Sequence, residues 1–103
     1  MCGIAGTLYF DAQRPAERSQ LERMVRAIAH RGPDGDGYHI EPGIGLGHAR
    51  LSIIDLEGGA QPIHNGRRSA WITYNGEIFN YVELRQMLQA RGHVFYTHTD
   101  TEV

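Results

Sequence analysis

The chain carries a single cysteine among its 103 residues, and it stands at position 2. Removal of Met1 would put its thiol and a free α-amino group on one residue, giving a nucleophile with its own base. A terminal amine titrates near ~7.7–8.0 against ~8.5 for an ordinary thiol, so near neutrality part of the amine is free to take the thiol proton. A lone cysteine is more often a small buried hydrophobe. Here Gly3 and Gly6 leave room for a ligand beside it, which favours the catalytic reading. Any fold for this chain must therefore present Cys2 at the open end of an element. The mostly apolar run Gly3–Phe10, closed by Asp11, reads as a buried strand with Cys2 at its leading end.

With 41% apolar residues and a formal charge of −2, the chain suits one small α+β domain. Mild acidity and the lack of a long Lys/Arg run argue against nucleic acid or an anionic membrane as partner. There is no secretion signal and no apolar run near ~18 residues. One cysteine cannot form an internal disulfide, in keeping with a reducing compartment, and the expected location is cytoplasmic. The last residues, Thr97 to Val103, stop within a β-branched stretch, which points to a piece of a larger protein.

Residues 11–18 form a polar connector around Pro15. Ser19 and Glu22 then match a capping box, and Leu21, Met24, Val25, Ile28 and Ala29 recur at helical spacing, predicting a helix from Gln20 to His30. Glycine-broken β segments follow at Gly37–Glu41 and Ile44–Ile54 around a Pro42-Gly43 turn, as strands of one antiparallel sheet. A loop over 57–67 ends in Asn65-Gly66, a hairpin signal. Ala70–Tyr74 reads as a strand, Asn80 to Glu83 as a second capping box opening a helix that stops at Gly92, and His93–Thr97 as a last strand.

Four groups stand out besides the terminus, each a weak signal by itself. Asn75-Gly76-Glu77 reads first as a type I′ turn, yet an Asn-Gly at a strand end can also aim a side-chain amide and a backbone N–H at one point, as an oxyanion hole requires. Arg50 reads either as a structural partner of Asp55 or as a fork for a substrate carboxylate. Glu77 and Asp100 read as solvated surface acids or as holders of an ammonium. The fourth group, His30-Arg31-Gly32-Pro33-Asp34, reads as architecture. Together a thiol, an oxyanion hole, an arginine and two acids describe a site for an α-amino acid with a cleavable acyl group. Asp34-Gly35-Asp36-Gly37 lacks the later ligands of a calcium loop. The six histidines show no pair at zinc-ligand spacing, and no metal site is expected.

Met1-Cys2-Gly3-Ile4-Ala5-Gly6, His30 to Asp34, Gly47-His48-Ala49-Arg50-Leu51-Ser52-Ile53-Ile54-Asp55, Gln61-Pro62, Asn75 to Asn80 and Asp100-Thr101-Glu102-Val103 resemble the glutaminase domain of class II glutamine amidotransferases. The asparagine-synthetase-like branch is the most similar, since Arg-Leu-Ser-Ile-Ile-Asp differs from the Arg-Trp-Ala-Thr-His expected in sugar-phosphate and phosphoribosyl enzymes. The resemblance implies an N-terminal-nucleophile hydrolase fold, four layers (αββα), of which this chain holds the first half. It implies Cys2 as nucleophile, Asn75 and Gly76 as oxyanion hole, Arg50 with the backbone of Leu51, Ile53 and Ile54 on the glutamine α-carboxylate, and Glu77 and Asp100 on the α-ammonium. The implied partners are glutamine and an ammonia-accepting synthetase domain, with a homodimer left open. No cofactor is implied for this chain; ATP and magnesium are expected in the synthetase domain, which amidates a carboxylate such as aspartate. The alternatives are a glutamine-binding module without catalysis and an amidotransferase of another pathway.

Overall fold

The computed structural model describes residues 1–53 and 58–103. Strands β1 (Gly3–Leu8), β2 (Gly35–Glu41) and β3 (Ile44–Arg50) form an antiparallel sheet in the order β1-β3-β2. Glu41 pairs with Ile44, so Pro42-Gly43 is the expected two-residue turn. β1 ends at Leu8, short of the expected Phe10, whose side chain is fully exposed. β3 ends at Arg50; the predicted continuation to Ile54 enters residues outside the description.

Helix α1 (Arg18–Ala27) covers one face of this sheet. Its Leu21 and Val25 are buried, as is Ala49 beneath them. The helix sits so close that a Cβ on Gly47 would lie 2.5 Å from the Val25 side chain. Burying two such side chains is worth roughly 1.5–3 kcal/mol each, the main reason this helix holds its place. The expected capping box is absent. The helix begins at Arg18 behind Glu17, so Ser19 and Glu22 fall inside it, and Glu22 takes the Arg18 guanidinium at 2.8 Å. The helix ends earlier than His30, and Ala29–Arg31 makes a separate 3₁₀ turn.

Strand alternation sends Ile4, His39, Leu46, His48 and Arg50 to the opposite face. Part of that face is covered by a small hairpin, β4 (Ile63–His64) paired with β5 (Trp71–Ile72). Trp71 stacks on His39 at 3.6 Å between ring centroids. The Gln61 carbonyl rests on Gly37, where any side chain would collide with it. The hairpin is joined by a longer loop, not by a tight Asn65-Gly66 turn: Asn65 Oδ1 accepts the backbone N–H groups of Ser69 and Ala70 at 2.9 and 3.3 Å. That loop shortens the predicted Ala70–Tyr74 strand to Trp71–Ile72.

Helix α2 (Tyr81–Ala90) starts after Asn80 as predicted, but the Asn80 side chain makes no capping bond and no α2 residue is buried. His93–Thr97 is not a strand. Glu102 accepts the N–H of Tyr96 at 2.8 Å and of Thr97 at 2.7 Å, giving those groups the acceptor a neighbouring strand would have supplied. The described residues thus make a mixed α/β domain. Among them no helix is long and apolar enough to cross a membrane.

Candidate functional site

Cys2 immediately precedes β1, and continuing the β1–β3 register by one residue sets it opposite Arg50. Its Sγ accepts the Leu51 N–H at 3.3 Å and approaches the Leu51 carbonyl at 3.5 Å. The first of these bonds survives loss of the thiol proton. Arg31 Nε donates to the Cys2 carbonyl at 3.2 Å. Asp34 clamps the chain beyond β3: its N–H donates to the Arg50 carbonyl at 2.9 Å and its Oδ2 accepts the Ser52 N–H at 2.7 Å. The His30 to Asp34 motif therefore steadies both segments that carry the thiol's surroundings.

The facing wall is assembled from loops. Gln61 Oε1 accepts the Tyr74 N–H at 2.6 Å, and Gln61 Nε2 donates to Thr101 Oγ1 at 3.4 Å. Asp100, only 6% exposed, accepts the Ile78 N–H on Oδ2 at 2.8 Å. These bonds hold Asn75, Gly76 and Glu77 over the sheet. Neither Asn75 nor Gly76 has a positive φ, which excludes the type I′ turn that the pair suggests in isolation.

Between the two walls lies a cavity of about 270 Å³, lined by Cys2, Arg50, Leu51, Ile53, Asn75, Gly76, Glu77 and Asp100, with Met1, His48 and Gln61 beside them. Every candidate residue that is described borders this one space; Ile54, and Asp55 as a partner for Arg50, lie outside the described residues. The volume falls just below the ~300–1,000 Å³ of drug-sized sites and suits a ligand the size of an amino acid. Charge is divided across it, Arg50 on the sheet and Glu77 with Asp100 on the loops, an arrangement able to take a zwitterion end-on. The Leu51 N–H, one of the backbone groups expected near the carboxylate, is already engaged by the Cys2 sulfur.

His48 is a site residue that motif reading missed. It is 1% exposed, and among the described residues neither ring nitrogen has a hydrogen-bond partner. Burial pushes its imidazole below the usual histidine range; the nearby Tyr74 backbone opposes this without reaching hydrogen-bond geometry, and the Arg50 charge adds to it. The available signal was strand alternation, since His48 precedes Arg50 by two residues and shares its face. Gln61 stands in the Gln61-Pro62 motif, but its role in the site was not legible there, because its bonds reach 13 and 40 residues along the chain. A second cavity, about 290 Å³, lies against α1 near Arg26, Asp36 and Tyr38 and holds none of the candidates.

A thiol at the chain's start, facing an arginine and a loop that offers Asn-Gly and two acids, defines a glutamine amidotransferase domain. That family matches residues 1–103, and the chain belongs to it. Among its relatives, asparagine synthetase [glutamine-hydrolyzing] 1 of Bacillus subtilis (strain 168) is 46% identical over 105 residues, covering 100% of this chain and 17% of the relative. Asparagine synthetase [glutamine-hydrolyzing] 2 of Oryza sativa subsp. japonica is 41% identical over 103 residues, covering 100% of this chain and 17% of the relative. The chain thus spans about a sixth of the length of these relatives.

Proposed function

We propose that this chain hydrolyses glutamine to glutamate and ammonia as the glutaminase part of an asparagine-synthetase-like enzyme. The observation that carries this reading is the single cavity shared by Cys2, Arg50, Asn75, Gly76, Glu77 and Asp100. After loss of Met1, the Cys2 amine takes the thiol proton and Sγ attacks the side-chain carboxamide carbon. The Asn75 amide and the Gly76 N–H hold the resulting oxyanion. The C–N bond breaks as the amine hands its proton to the departing nitrogen, and ammonia leaves. Water then cleaves the thioester to give glutamate and regenerate the thiol.

Arg50 pairs with the substrate carboxylate, helped by backbone groups of Leu51, Ile53 and Ile54, while Glu77 and Asp100 take the ammonium. Asp100 accepts the Ile78 N–H on Oδ2 at 2.8 Å and the Thr101 hydroxyl on Oδ1 at 3.5 Å, so the ammonium would share a carboxylate already fixed by the loops. The ammonia goes to a synthetase domain that amidates a carboxylate, aspartate on the strength of the relatives' names. In this reading ATP and magnesium belong to that synthetase domain, and no step proposed for this chain uses them. The four-layer N-terminal-nucleophile fold belongs to this proposal. It would lay a second sheet on the face where Ile4 and Leu8 are 53% and 77% exposed. A cytoplasmic location accompanies it.

The test is glutamine hydrolysis by the full-length protein. Cys2→Ala is expected to abolish ammonia release while glutamine still binds, and substantial residual hydrolysis would remove Cys2 from the mechanism. The alternative turns on Met1, which precedes Cys2 in the sequence. A protein that keeps Met1 would be a glutamine-binding module without catalysis.

A further inference from the structure

We propose that His48 reads the side-chain amide of glutamine, accepting a hydrogen bond from the carboxamide NH₂ and so discriminating the substrate from its product, glutamate. The proposal rests on the glutaminase reading above and deepens it. Its basis is an unsatisfied group in a specific place. His48 is 1% exposed, both ring nitrogens lack partners among the described residues, and the side chain borders the same cavity as Cys2 and Arg50. A buried polar group left unpaired costs about 1–3 kcal/mol, so an unpaired imidazole nitrogen bordering a ligand cavity is suited to a partner that arrives with the ligand.

The register says which part of the ligand that is. Ile4 pairs with His48, and Cys2, two residues before Ile4, is the diagonal neighbour of His48 on the same sheet face. Such diagonal pairs stand roughly 7–8 Å apart, a gap that a carboxamide held at the thiol can bridge. The charged ends of the amino acid already have Arg50 on the sheet and Glu77 with Asp100 on the loops. What remains is the uncharged carboxamide, and an imidazole without a carboxylate partner is matched to an uncharged group.

Burial and the Arg50 charge both keep the ring unprotonated. An unprotonated ring nitrogen accepts from NH₂ but meets only lone pairs on a carboxylate oxygen. Sites built to hydrogen-bond a substrate N–H discriminate strongly against ligands lacking it, because the site's own polar group is then left buried and unpaired. Glutamate, formed in the same cavity, would be released for that reason.

The measurement compares glutamine and glutamate affinity by calorimetry in the full-length protein carrying Cys2→Ala, with His48 intact and with His48→Phe, which keeps a planar ring and the burial. Intact His48 should bind glutamine more tightly than glutamate. His48→Phe should lower glutamine affinity by about 5- to 100-fold, with glutamate affinity changed far less, so that the ratio of the two shrinks. An unchanged ratio overturns the proposal. Failure of the Cys2→Ala protein to bind glutamine at all overturns the glutaminase reading and this one with it. Should His48→Phe fail to fold, ¹⁵N resonances of the intact His48 ring decide: a shift on adding glutamine but not glutamate supports the assignment, and equal or absent shifts overturn it.

Discussion

Residues 3–50 and residues 58–103 meet at one cavity but are held by different physics. The first region has strands paired over six and seven residues and a helix that buries Leu21 and Val25. In the second region the strands are two residues long and the helix has half-buried but no fully buried residues. Its loops are tied by side chains that accept or donate to backbone: Gln61 to Tyr74, Asp100 to Ile78, Arg85 to the Thr97 carbonyl at 2.7 Å, Glu102 to Tyr96 and Thr97. The apolar region supplies a rigid floor that fixes Cys2 against Arg50. The polar region supplies directed groups on loops, which is where a site needs adaptable chemistry and where rigid elements cannot place it.

Matched truncations in the two helices test that contrast most severely. Leu21→Ala should cost about 2–5 kcal/mol of unfolding free energy in urea titrations, whereas Met87→Ala, at a site 43% exposed, should cost much less. Equal losses would mean that α2 has a core partner not seen here. Next in size, Asp100→Ala strips the acceptor from the Ile78 N–H and should cost about 1–3 kcal/mol, together with weakened glutamine binding. A variant that kept full stability and affinity would show that the loops are not tethered through this carboxylate.

The buried imidazole adds a pH dependence to the floor. His48 titrates below its ordinary value of 6.5 in the folded chain. Once the pH drops below about 6.5, the unfolded chain binds a proton that the folded one resists, so stability falls with acidification until the folded-state pKa is passed. Unfolding midpoints at pH 7.5 and 5.5 should therefore differ less in His48→Phe than in the unsubstituted protein; an equal difference would assign the acid sensitivity elsewhere. The smallest effect belongs to the surface of α1. Arg18→Ala breaks an exposed ion pair with Glu22 and should shift stability by only about 0.3–0.5 kcal/mol, less at high salt. A loss above 1 kcal/mol would show that the pair does more than decorate the helix.

The same contrast explains what could be read from the sequence. Apolar periodicity located α1 and the paired strands, because burial there leaves a local pattern: Leu21 and Val25 at helical spacing, and alternation through β3. Both capping boxes were misjudged in their bonding, since Glu22 found a closer partner in Arg18 and Asn80 caps by position alone. His93–Thr97 is not a strand because the backbone N–H groups of Tyr96 and Thr97 are taken by the Glu102 carboxylate, a relation no propensity reveals. Within the site, each motif was a weak signal by itself and only the set pointed to one ligand; the described candidate residues line one cavity. His48 and Gln61 both stand within the quoted motifs, but the burial of the one and the distant bonds of the other leave no local sign of a place in the site.

The central claim is that Cys2, made N-terminal, is the nucleophile of a glutaminase. It is tested most directly by intact mass and N-terminal mapping of the full-length protein before and after a glutamine-analogue electrophile. Loss of Met1 and a single adduct on Cys2, blocked by excess glutamine, is the expected result. Retained Met1 with no adduct on Cys2 would contradict it.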